Sequence, residues 1–74
     1  MTSSEKFDIL SELDRKGAKV KLTTIKGEEI ICKLHCFAED EEDWAYDVIT
    51  LEEKPRYLTY LCNQLVEIEE LADD

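Results

Sequence analysis

Cys32, His35, Cys36 and Cys62 are the residues of this chain whose chemistry could be catalytic or metal-binding. Thiolate and imidazole are preferred zinc ligands, four to an ion, in a tetrahedron with Zn–S bonds of ~2.3 Å. The spacing does not suit that geometry. Cys32 and Cys36 fall in a stretch that reads as a β-strand, where four residues at ~3.3 Å each put their Cα atoms roughly 13 Å apart. His35 faces away from both, and there is no C-x-x-C pair. The same separation excludes a Cys32–Cys36 disulfide, which needs Cα atoms within about 7 Å. The cysteines therefore read as small buried hydrophobes. His35 could act as a general base, but no plausible serine or cysteine nucleophile accompanies it and no triad can be assembled. The expectation is a protein that is not an enzyme and carries no metal or cofactor.

Three further groups could bind rather than react. The acidic run Glu39-Asp40-Glu41-Glu42-Asp43 could hold calcium or a basic protein. It lacks the alternating acids and turn glycine of an EF-hand loop, and reads as a solvated loop tip. Trp44, Tyr46, Tyr57 and Tyr60 could stack nucleobases, which requires a positive groove beside them. They read instead as core and subunit-interface aromatics. The only basic rows are Lys19 and Lys21, with Lys26 and Lys33 nearby. Those rows leave RNA as an alternative partner, with Lys19, Lys21 and Lys33 as its phosphate contacts.

The bulk charge bears on the same choice. The 74 residues hold 19 acids against nine Lys and Arg, a net charge of −10. The imbalance is uneven: residues 1–34 carry seven bases and six acids, residues 35–74 two bases and thirteen acids. Such a surface repels phosphates and anionic lipids, which argues against DNA and membranes as partners. An apolar fraction of 43% is too high for a disordered chain, and two glycines with one proline exclude collagen-like sequence. No apolar run approaches the ~20 residues of a membrane span. The polar, acidic start lacks a signal-peptide pattern, and three cysteines are an odd count for a disulfide scaffold, so a cytoplasmic location is expected.

The elements that must position these residues follow from periodicity. Phe7, Leu10 and Leu13 form one stripe, Thr2 and Glu5 fit a capping box, and Gly17 suits a left-handed C-terminus. This predicts a helix over about Ser4–Lys16. After Gly17 the period becomes two: Ala18, Val20 and Leu22 alternate with Lys19, Lys21 and Thr23. A turn at Gly27 leads to a second strand, with Ile30, Cys32, Leu34 and Cys36 on one face and Ile31, Lys33, His35 and Phe37 on the other. Trp44–Leu51 and Tyr57–Cys62 read as strands three and four. Leu65–Ile68 reads as a short fifth strand or a helical turn, and Ala72-Asp73-Asp74 as a frayed tail. The expected fold is mainly β: one domain over 1–74, with an N-terminal α-helix at about 4–16. A strongly bent five-stranded antiparallel barrel of SH3-like size follows at about 18–71.

Gly27-x-x-Ile30-x-Cys32-x-Leu34, with Phe37 following, resembles the first sequence motif of the Sm-like (LSm) small β-barrel family. Tyr60-Leu61-Cys62-Asn63-Gln64-Leu65 falls where the second motif would lie. Cys32 stands where the first motif has its second glycine, Ala38 where it has an aspartate, and Leu61-Cys62 where the second has Arg-Gly. The resemblance thus implies the barrel and not the family's RNA site. It also implies ring assembly, in which an edge strand of one barrel pairs with an edge of the next, in about five to seven copies. The expected function is a non-catalytic, ring-forming oligomeric scaffold or interaction module. Subunit contacts are expected along Trp44–Leu51, Tyr57–Cys62 and Leu65–Ile68, through Ile31, Phe37, Trp44, Leu58, Tyr60 and Leu65. RNA association of the chaperone type, through the lysine rows, is the alternative.

Overall fold

The structure, a computed structural model, describes residues 1–72. Asp73 and Asp74, part of the tail expected to fray, lie outside the described residues. Helix α1 spans Ser3–Lys16. Thr2 Oγ1 accepts from the Glu5 amide at 3.1 Å, and Glu5 Oε1 accepts from the Thr2 amide at 3.0 Å. This reciprocal pair satisfies donors that a helix start leaves without intrahelical partners. At the other end Gly17 takes φ 67°. Its amide and that of Ala18 donate to the Asp14 and Leu13 carbonyls at 2.9 and 3.1 Å, and the chain turns out of the helix.

Five strands follow: β1 Lys19–Thr24, β2 Glu29–Glu39, β3 Trp44–Thr50, β4 Tyr57–Leu61 and β5 Leu65–Leu71, with a 3-10 turn at Cys62–Gln64. They form one sheet in the order β4-β3-β2-β1-β5, and every neighbouring pair is antiparallel. On β1 the alternation holds as expected, with Val20, Leu22 and Thr24 buried. β2 is shared between partners: residues 29–33 pair with β1, residues 32–39 with β3. The sheet bends along this long strand. In a flat sheet β4 and β5 would stand four spacings apart, roughly 19 Å. Instead Leu65 of β5 lies in one core cluster with Val48 of β3, and Leu58 and Tyr60 of β4 pack against it. Helix α1 adds Leu10 and Leu13 to that core. The buried hydroxyls are satisfied within the fold: Thr24 Oγ1 accepts from the Lys26 and Glu28 amides, and Thr50 Oγ1 from the Arg56 amide.

The structure departs from the expected placement at four points. The β2–β3 register shifts between Leu34 and Cys36, where His35 is an extra residue. The bulge reverses the faces beyond it. Cys36, expected inward with Cys32, is exposed, while Phe37 lies opposite the buried Tyr46 on the helix side. β3, expected among the edges, is internal, because β2 and β4 flank it. β5 is a seven-residue strand rather than a short strand or a turn, because Glu67 and Glu69 fall opposite Thr23 and Lys21 of β1. Leu65, expected at a subunit contact, is only 1% exposed, and its side chain belongs to the core.

Candidate functional site

The bent sheet ends in two strands, each with one partner. β4 bonds only to β3 and β5 only to β1, and no ladder joins them among the described residues. On β4 the direction of the backbone groups can be assigned. The Thr50 amide donates to the Arg56 carbonyl, so Arg56, Leu58 and Tyr60 turn their groups toward β3. The N–H and C=O of Tyr57, Thr59 and Leu61 therefore point to the open side. Gln64 Oε1 accepts from the Leu61 amide at 2.8 Å and blunts one end of this edge. Tyr57 and Thr59 remain open. Tyr57 is well exposed on β4, and Val66 on β5. A strand edge in this condition is a template for strand addition.

The lysine row on the outer face is less free than its sequence implies. Lys19 pairs in register with Lys33 on β2. Lys21 Nζ lies 3.4 Å from Glu29 and 3.5 Å from Glu69. Those two carboxylates hold its ammonium above the ordinary lysine range. Lys16 meets Glu70 at 3.4 Å. Strand β5 thus lays an acidic side chain against Lys21, one of the three lysines expected as phosphate contacts.

The sulfur and imidazole groups are dispersed. Cys32 is buried, and desolvation pushes its thiol up to about 11. Burial also raises the Cys62 thiol. Cys36 lies on the outer face, with its Sγ 3.5 Å from Asp47 Oδ2. Desolvation and the Asp47 carboxylate both raise its thiol, which disfavours the thiolate a nucleophile needs. Asp47 is held in turn by the Thr59 hydroxyl at 2.6 Å. His35 rests edge-to-face on Tyr57, with ring centroids 5.6 Å apart.

Long-range packing assembles a site that spacing did not announce. Phe7 of α1, Phe37 of β2 and Trp44 of β3 meet between the helix and the β2–β3 hairpin. The Phe7 ring stands nearly perpendicular to Trp44 at 4.4 Å and to Phe37 at 6.1 Å. Such edge-to-face pairs are favoured by the ring quadrupoles. Together with Ser11, Glu39, Asp40 and Asp43 they line a groove of about 620 Å³. Phe37 and Trp44, expected at a subunit contact on a sheet edge, lie here instead, 58% and 49% exposed. Ile31, also expected at a contact, is 40% exposed beside the β3–β4 turn, where the Leu51 amide donates to its carbonyl.

Asp43 closes one end of this groove and is not a freely solvated loop residue. Its Oδ2 accepts from Ser3 Oγ at 2.8 Å and from the Asn63 amide at 2.7 Å. It thereby ties the helix start and the 3-10 turn to the acidic loop. Desolvation raises the Asp43 carboxyl, but donation from Ser3, Trp44 and Asn63 outweighs it, and its pKa lies below the usual aspartate range. A depressed folded-state pKa contributes stability above the unfolded pKa and loses it as pH falls through the folded value. Asp43→Asn is therefore expected to be less stable than the parent at neutral pH, with a gap that narrows as pH drops through the aspartate range. Urea titrations at several pH values measure this, and a gap that widens on acidification would contradict it.

No helix among the described residues is long and apolar enough to cross a membrane. In comparison with known proteins, no family model, no curated protein and no solved structure matches this chain.

Proposed function

We propose that this protein is a non-catalytic, Sm-like scaffold whose copies join edge to edge into a closed ring. The observation that carries this reading is the pair of open strands, β4 and β5, at the two ends of one strongly bent sheet. Two different edges make a head-to-tail contact, and such contacts generate rings when the rotation between copies closes. The backbone of Tyr57 and Thr59 supplies donors and acceptors, while Val66 and Tyr57 supply apolar area. A chain of this size buries a smaller share of its surface than a larger domain does, so assembly also covers area that its own core cannot.

Light scattering on a sizing column tests the reading. At micromolar concentration the expected mass is about five to seven times the 8.6 kDa chain. A single 8.6 kDa species across that range overturns it.

A further inference from the structure

The groove between α1 and the β2–β3 hairpin combines two features. Its walls carry three aromatic rings, and every charged residue that lines it is acidic. Phe37 and Trp44 leave 58% and 49% of their surface uncovered. Glu39, Asp40 and Asp43 stand around them. None of these three carboxylates is ion-paired among the described residues. Lys6 on the helix donates to the Cys62 carbonyl at 3.3 Å and makes only a minor contribution to lowering the Asp43 carboxyl.

We infer that this groove seats an arginine or lysine side chain from a basic segment of a partner protein. Such a side chain has an apolar stem and a cationic head. The stem suits the corner formed by Phe7, Phe37 and Trp44. The head is attracted to ring faces within about 6 Å and to carboxylates at the rim. A volume of about 620 Å³ accommodates one such side chain with its flanking backbone. Charge complementarity selects the occupant. The carboxylates of Glu39, Asp40 and Asp43 at the groove's rim favour a cationic segment over a neutral or acidic one. The chain's own two guanidiniums are already held, Arg15 by Glu12 at 3.1 Å and Arg56 by Glu52 through Nε at 3.1 Å and Nη2 at 2.9 Å. No residue lining the groove belongs to β4 or β5, so occupancy and assembly can be measured separately.

Trp44 is the only tryptophan, so its fluorescence reports the groove directly. The probe is a ten-residue Gly/Ser peptide with three arginines, compared with the same peptide carrying citrulline at those positions. The expected result is a saturable shift in Trp44 emission with the arginine peptide and none with the citrulline peptide. Acetyl-arginine amide, a free side chain without its segment, should bind at least tenfold more weakly. Two variants separate the groove from general attraction to an acidic surface. Phe37→Ala keeps every charge and, at an exposed position, should keep the fold. Glu39→Lys with Asp40→Lys keeps every aromatic ring. Each is expected to weaken peptide binding about tenfold or more, with circular dichroism unchanged. Undiminished binding by Phe37→Ala would reduce the effect to diffuse electrostatics and overturn the inference, as would equal binding of the citrulline peptide.

Discussion

Thr59→Pro is expected to abolish the proposed assembly and leave an 8.6 kDa species whose circular dichroism stays that of a folded β-protein. Proline removes one backbone donor and fixes φ near −65°. The position decides the consequence. The Thr59 amide points to the open side of β4, because the bonds to β3 are made by Arg56, Leu58 and Tyr60. No ladder bond inside the chain is lost, and proline is tolerated on an edge strand in this orientation. A neighbouring strand would lose one hydrogen bond and meet the pyrrolidine ring at the centre of a five-residue edge. The substitution also removes the exposed Thr59–Asp47 hydrogen bond, which contributes about 0.5–1.5 kcal/mol. Thr59→Ala removes that bond without obstructing the edge, and should remain assembled. If the proline variant assembles like its parent, β4 is not the contact.

Leu10→Ala should lower the stability of the chain by about 2–5 kcal/mol, the range for a leucine truncated in a close-packed core. Leu10 is fully buried and joins α1 to the cluster of Val20, Leu22, Cys32, Tyr46 and Val48. A domain of 74 residues has roughly 4–11 kcal/mol in total, so this one change removes a large share of it. The helix and the sheet form one core, and unfolding should remain a single cooperative transition at a lower urea midpoint. The proposed assembly would add concentration-dependent stability, so both proteins are compared at one concentration. Ile9→Ala, on the same helix but at a partly exposed position, should cost about 1 kcal/mol or less. Equal effects of the two variants would show that α1 does not pack on the sheet through Leu10.

The sequence by itself determined the elements of this protein. The Thr2–Glu5 capping box, the Phe7–Leu10–Leu13 stripe and Gly17 delimit a helix, which the structure extends by one residue to Ser3. The alternation of Val20 and Leu22 with Lys19 and Lys21 specifies a strand and its buried face. These signals are local. Capping, left-handed turns and side-chain period act within a few residues, and the residues that carry them are adjacent in the chain.

Tertiary structure alone decided where several of these residues face. The bulge at His35 is set by pairing with β3, and it moves Cys36 outward and Phe37 toward the helix, against the simple alternation of β2. The full length of β5 and the neutralisation of Lys21 arise because Glu69 lands opposite Lys21, some 48 residues away in sequence. Asp43 reads as loop charge until Ser3 and Asn63 converge on it from distant segments. The groove of Phe7, Phe37 and Trp44 has no sequence spacing at all, because helix, β2 and β3 each supply one wall. Register and bulges are cooperative properties of paired strands. One inserted residue reverses every face beyond it, and which residue is inserted depends on a partner that local periodicity does not see.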